Sequence, residues 1–258
     1  MRKKRKTIWR WVRKIWSLTL DLIYPPRCPI CDELLLPGRL ICPECLPKLS
    51  YVKNPRCLIC GKHINDPAKE YCLDCRKKPH YYKEGRALLE YRSIASSMYR
   101  FKYAGRQEYA RFYGKQITYH LKDVIEKWDV DALVPVPIHR SRKAQRGYNQ
   151  AEVLAKEIGF YLGIPVETHL LKRVKKTLPQ KLLDDRQRQN NLKNAFKIGR
   201  NDVKCKSTIV IDDIYTTGST IDHCAKVLKQ HGVERIYYIS IAIGREEILS
   251  GGQENECT

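Results

Sequence analysis

The sequence predicts an α/β domain built on a parallel sheet flanked by helices and preceded by a small double zinc-ribbon module. Three observations predict it. Eight of the 11 cysteines fall before residue 76, as four Cys-x-x-Cys pairs. From about residue 80 onward, short β-branched runs alternate with stretches of helical period, and no further Cys-x-x-Cys occurs. One of those runs ends in two aspartates and a hydroxyl-rich turn containing a single glycine.

The cysteine region is an internal duplication. Cys28-Pro-Ile-Cys31 and Cys42-Pro-Glu-Cys45 bound the first copy; Cys57-Leu-Ile-Cys60 and Cys72-Leu-Asp-Cys75 bound the second. Each pair turns two thiolates toward one point, and the returning pair completes a tetrahedron around Zn²⁺. The segment between pairs is too short to bury a core, so metal binding supplies much of the folding free energy. Sequential pairing is favoured because each copy is then self-contained; cross-bracing of the first and third pairs is the alternative. A disulfide framework is disfavoured because no secretion signal is expected and the spacing is that of zinc sites.

The rest of the chain alternates strand and helix. Strands are expected at residues 87–91, 131–138, 207–211 and 235–243, and helices at 94–103, 108–127, 148–162 and 219–230, with Gly163 and Gly232 closing the last two. This order implies a doubly wound sheet, whose ligands sit beyond the carboxyl ends of the strands. The domain limits that follow are a leader at 1–27, the ribbons at 28–78, the α/β domain at 79–245 and a tail at 246–258.

The run Thr208-Ile209-Val210-Ile211 enters Asp212-Asp213-Ile214-Tyr215-Thr216-Thr217-Gly218-Ser219-Thr220, with a helix next. Unpaired N–H groups and the helix dipole favour an anion there. Thr216, Thr217, Ser219 and Thr220 add hydroxyl donors, and Gly218 lets the backbone come close to a phosphate. The aspartates suit ribose hydroxyls and a hydrated Mg²⁺. The plainer reading is a capped helix after a buried strand; two acids directly upstream weigh against it. No Gly-Lys-[Ser/Thr] is present, so this is not a Walker A loop.

Residues 210–220 resemble the phosphoribosyl-pyrophosphate (PRPP) motif of type I phosphoribosyltransferases. The resemblance implies that Asp212 and Asp213 are the catalytic-site carboxylates facing the ribose 2′- and 3′-hydroxyls, and that Tyr215, Thr216, Thr217, Gly218, Ser219 and Thr220 wrap the 5′-phosphate. Val134-Pro135-Val136-Pro137-Ile138-His139 matches the family's pyrophosphate loop, which implies PRPP contact at Val136 and Pro137, with Arg140 or Arg142 reaching the diphosphate. A narrower resemblance takes in the cysteine pairs, Val-Pro-Val-Pro, Arg146-Gly147-Tyr148-Asn149-Gln150, residues 177–180 and 186–191, Ala195-Phe196 and the Asp-Asp motif, in that order. It is similar to the competence protein F family. Membership implies a type I phosphoribosyltransferase-like fold, two structural Zn²⁺, Mg²⁺ with PRPP, and a role in the uptake of single-stranded DNA beside other uptake proteins such as a translocase helicase and a recombination loader. Any transferase chemistry would be a displacement of pyrophosphate at ribose C1.

The charge fits phosphate partners. Lys plus Arg is 49 against 28 Asp plus Glu, a net +21, which attracts nucleic acid, anionic lipid or a polyphosphate. Residues 172–188 concentrate cations, among them Lys175, Lys176 and Arg186, and read either as a solvated loop or as a hood over a diphosphate or nucleic acid. Arg146, expected at a helix start, could pair bidentately with phosphate. The basic, Trp-bearing leader suits an anionic membrane surface, single-stranded DNA, or packing on the ribbons. No apolar run is long enough to span a membrane, and a cytoplasmic location follows as the expectation, with peripheral contact at the inner face of the cell membrane. Two other functions compete: a metabolic phosphoribosyltransferase for a base or amine, and an inactive zinc-knuckle nucleic-acid adaptor.

Overall fold

In the computed structural model, which describes residues 25–175, 194–199 and 203–244, the cysteine ribbons come first among the described residues and a four-stranded sheet follows. Nearly all of the leader, the tail, and Lys176 and Arg186 of the basic segment lie outside the described residues. The elements are a short helix α1 (Leu73–Lys77), β1 (Glu84–Glu90), α2 (Tyr91–Tyr103), α3 (Tyr109–Trp128), β2 (Ala132–Pro135), α4 (Arg140–Arg146), α5 (Gln150–Leu162), β3 (Leu171–Arg173), β4 (Phe196–Ile198), β5 (Ser207–Tyr215), α6 (Ser219–Gln230) and β6 (Arg235–Ile243). The main sheet runs β1-β6-β5-β2 and all its pairs are parallel, as the alternation of elements predicts. β3 and β4 form a separate antiparallel pair.

Alternation along the strands buries both faces. Leu133, Ile209, Ile211, Tyr237 and Ile239 point into a core shared with α2, α3 and α5. Their neighbours Val134, Val210 and Tyr238 point the other way, into a core completed by α6 and by Cys57, Cys60, Cys72 and Cys75 of the second ribbon. A sheet covered on both faces needs such continuous apolar strands. On α3 the buried residues Tyr109, Tyr113, Ile117, Leu121, Ile125 and Trp128 recur at three to four residues, so one stripe faces the sheet.

Two local expectations are corrected. The strand expected to stop at Ile211 continues to Tyr215, because Asp212 pairs with Ser240 and Ile214 with Ala242 of β6. The two aspartates therefore project from the last residues of a strand and not from the following loop. Arg146 does not start a helix: it ends α4, Gly147 closes that helix at φ 80°, and Asn149 caps α5 by accepting from the Ala151 N–H at 3.2 Å.

Candidate metal centres and anion cleft

The thiols group sequentially. The sulfurs of Cys28, Cys31, Cys42 and Cys45 form one cluster and those of Cys57, Cys60, Cys72 and Cys75 another, all within 4.8 Å of one another in each. Cys31 to Cys42 and Cys60 to Cys72 both measure 3.6 Å between sulfurs. Sulfurs about 2.3 Å from a tetrahedral Zn²⁺ stand about 3.8 Å apart, so both clusters fit the ion and cross-bracing is excluded. The buried ammonium of Lys62, held by Asp74 at 2.6 Å, offsets the negative charge of the second site.

The two ribbons attach differently. The first is gripped from outside. Arg100 donates to the carbonyls of Pro29 and Ile30 at 3.2 and 2.6 Å, and Arg106 makes two 2.9 Å bonds to the carboxylate of Asp32, which Tyr109 also contacts. The second is part of the core. Its Ile59 carbonyl accepts from the Gly85 N–H at 2.7 Å, and its Cys60 carbonyl accepts from the Tyr238 hydroxyl.

At the carboxyl ends of β2, β5 and β6 lies a cleft of about 480 Å³. Asp212, Asp213, Thr216 and Thr220 line one side; Val136, Arg142 and Arg146 line another; Lys102 of α2 and Arg173 of β3 complete it. Four cations thus face two carboxylates, and the surplus charge suits an anion. Burial, then the neighbouring Asp213 charge, raises the Asp212 carboxyl to about 7. Burial, then the neighbouring guanidinium, lowers Arg142 and Arg173 below the usual arginine range, Arg146 acting on the first and Arg142 on the second. Lys102 Nζ is 3.0 Å from Asp213 Oδ2.

The Arg146–Gln150 motif ties this wall together. Arg146 donates to Gln150 Oε1 at 3.1 Å and to the Tyr103 hydroxyl at 3.2 Å, with its guanidinium 4.8 Å from the Tyr103 ring centre. Asn149 Nδ2 donates to the Val136 carbonyl at 3.0 Å, fixing the loop after β2.

Several expected residues sit elsewhere. Tyr215 is buried; its ring stacks on Tyr238 and its hydroxyl meets that of Tyr82 at 2.7 Å, so its side chain cannot wrap a phosphate. Ser219 is also buried, its hydroxyl 3.0 Å from that of Thr217. Gly218 has φ 75°, and a methyl group there would lie 2.4 Å from the Tyr215 hydroxyl oxygen, so glycine is required by the turn and by the tyrosine beneath it. Pro137, Arg140, Thr217 and Lys175 are not among the described residues lining the cleft; Arg140 and Lys175 are exposed. Lys102 is outside the expected set, because a cation on an amphipathic helix looks solvated in sequence; Arg173 belongs to the basic run at 172–188, for which the sequence leaves the solvated-loop and hood readings both open, and the topology turns both side chains inward.

Residues 19–76 match the double zinc ribbon domain family. Competence protein F of Haemophilus influenzae is 30% identical over 221 residues, which cover 78% of this chain and 96% of that protein. Competence protein ComFC of Bacillus subtilis is 27% identical, covering 80% and 89%, and the DNA utilization protein YhgH of Escherichia coli is 24% identical, covering 81% and 86%. Among solved structures, a purine phosphoribosyltransferase from Pyrococcus horikoshii aligns with a TM-score of 0.32 at 16% identity, over 55% of this chain and 95% of that one. The match to the Haemophilus protein covers more than three quarters of this chain and nearly all of that protein, and on it the chain belongs to the competence protein F family.

Proposed function

We propose that this chain is a PRPP-binding protein of the DNA-uptake machinery, acting on single-stranded DNA at the cytoplasmic side of the membrane. One observation carries the PRPP reading: Asp212 and Asp213 share a cleft with Thr216, Thr220, Lys102, Arg142, Arg146 and Arg173 at the strand ends that precede α6. Carboxylates beside a helix N-terminus and a ring of cations match the ribose hydroxyls, 5′-phosphate and diphosphate of a single ligand. The names of the relatives support the DNA-uptake role. No helix among the described residues is long and apolar enough to cross a membrane.

The cleft residues have separable tasks. Thr216, Thr220 and the first N–H groups of α6 bind the 5′-phosphate. Arg142, Arg146 and Arg173 take the diphosphate and neutralise charge that develops there if it leaves. Asp212 and Asp213 accept from the ribose hydroxyls. Their paired oxygens also fit a hydrated Mg²⁺, a hard cation that prefers carboxylates; it would supply charge neutralisation at the diphosphate. Burial and the Asp213 charge raise the Asp212 carboxyl to about 7, so a cation bound there displaces its proton only below about that pH.

Calorimetric titration with PRPP, with and without Mg²⁺, followed by competition with single-stranded DNA, tests the reading. Mg²⁺-dependent PRPP binding that Asp212→Asn/Asp213→Asn abolishes is the expected result. Unchanged affinity in the double variant reduces the motif to a helix cap.

A further inference from the structure

The loop of residues 216–220 is held at both ends by groups that lead back to the second ribbon. Tyr215 stands at its entry. The Tyr215 ring lies parallel to that of Tyr238, with centres 4.6 Å apart and an interplanar angle of 8°, and Tyr82 packs edge-on against both. The Tyr215 hydroxyl supports Gly218 from below and bonds the Tyr82 hydroxyl. Tyr238, in turn, donates its hydroxyl to the carbonyl of Cys60, a ligand position of the second four-cysteine site.

Asp222, in the first turn of α6, stands at the loop's exit and is 3% exposed. Its carboxylate accepts from Lys78 Nζ at 3.0 Å, from His80 Nδ1 at 2.8 Å and from the Tyr81 N–H at 3.0 Å. Those three residues closely follow α1, the helix that carries Cys75. Two ligand positions of a single metal site, Cys60 and Cys75, therefore connect through short contact chains to the two ends of one loop. The first ribbon has no such route in its described contacts; it meets Arg100, Arg106 and Tyr109 on the other side of the sheet.

We propose that the second ribbon sets the conformation of the ribose-phosphate loop, with Tyr238, His80 and Asp222 as positioning residues that act through Tyr215 and the first turn of α6. This rests on the reading of the cleft as a PRPP site for its ligand, but not for its mechanics. A backbone anion cradle works only if its N–H groups are fixed before the ligand arrives, because ordering them on binding costs affinity. Within the loop the Thr217–Ser219 contact contributes to that order. The buried tyrosine stack and the buried Asp222 carboxylate anchor the loop to the rest of the fold.

The test pairs amide hydrogen exchange over residues 212–222 with PRPP–Mg²⁺ calorimetry on the full chain, zinc being counted in every sample. Tyr238→Phe deletes only the hydroxyl that reaches Cys60 and keeps the ring stack. Asp222→Asn keeps the shape but weakens the hold of Lys78 and His80. Both are expected to retain two zinc ions, to speed exchange at Gly218–Thr220 about tenfold, and to weaken PRPP about tenfold. Arg106→Gln, which loosens the first ribbon, is expected to change neither. Wild-type exchange and affinity in both Tyr238→Phe and Asp222→Asn overturn the proposal, as does an equal effect of Arg106→Gln. If the parent protein binds no PRPP, the ligand reading fails, and the exchange arm alone still decides whether the ribbon orders the loop.

Discussion

Lys102 Nζ stands 3.0 Å from Asp213 Oδ2, so a cation from α2 occupies the carboxylate that would face the ribose. Any second cation must share that oxygen with an ammonium. Lys102→Met should therefore tighten Mg²⁺ binding about threefold to tenfold, the scale of roughly 1 kcal/mol for a partly shielded ion pair. Mg²⁺ titration followed by calorimetry checks it; weaker Mg²⁺ binding in the variant would show that Lys102 holds the carboxylates in place for the metal.

Asp212 gives a pH signature. Its carboxyl is raised from 3.8 to about 7 by burial and then by the charge of Asp213, so the folded chain keeps a proton that the unfolded chain releases. Stability contributed in this way is fully present below about pH 4 and is lost as pH rises toward 7. Asp212→Asn removes that loss while its side-chain oxygen can still accept from the Asp213 N–H, a 2.9 Å bond in the parent. The variant should melt higher than the parent at about pH 8, by roughly 1 kcal/mol or more, and the difference should shrink toward about pH 4. Thermal melts across that range measure it.

The metal sites should fail unequally. Cys28 and Cys45 pack with Leu35 in a small satellite cluster, whereas Cys57, Cys60, Cys72 and Cys75 belong to the core that covers one face of the sheet. Two zinc ions per chain are expected, and Cys31→Ser should lose one with only local exposure of the first ribbon. Cys60→Ser should lose the other and destabilise the whole domain by several kcal/mol, about 3 or more. Metal analysis with circular dichroism melts distinguishes these outcomes from a symmetric loss.

Gly218→Ala should damage the loop through geometry alone. The position sits at φ 75°, and the added methyl would meet the Tyr215 hydroxyl at 2.4 Å. A left-handed alanine costs about 1 kcal/mol before any clash. Loss of PRPP affinity with two zinc ions retained is the expected result. Gly218→Ala in a Tyr215→Phe background, which removes the clashing oxygen, should recover part of it.

Binding of single-stranded DNA should fall steeply with salt, since a chain of net charge +21 releases counterions from every phosphate it meets. Tyr99 and Tyr103 are 61% and 51% exposed on α2, with ring centres 5.2 Å apart, beside Arg146. Tyr99→Ala/Tyr103→Ala should weaken binding by about 1–3 kcal/mol without changing the salt slope, as loss of base stacking does. Fluorescence anisotropy over a salt series separates the two effects.

Much of this was legible in the sequence because local patterns and the fold agreed. The strand at Arg235–Ile243 and the helix at Ser219–Gln230 have the limits read from their β-branched and helical periods. The Cys-x-x-Cys spacing points to two four-cysteine sites and favours sequential pairing, and the sulfur clusters decide it against cross-bracing. α4 was missed because it buries no residue and so leaves no amphipathic trace. The last residues of β5 were missed because Asp212 and Asp213 interrupt an apolar run, although the backbone there stays paired with β6. Tyr215 looked like part of a phosphate loop because nothing in its neighbourhood reveals Tyr82 and Tyr238, which come from distant segments.

The pairing of β1 with β6 has a consequence for how the chain is made. Glu84 lies beside Tyr237, and between them fall every described α-helix but the first and all the other described strands. During synthesis β1 leaves the ribosome long before its partner in the main sheet, and so does the second ribbon, whose core contacts include Tyr238. Early metal capture would give that ribbon a local means of folding in the interval and would keep four thiols occupied until β6 emerges.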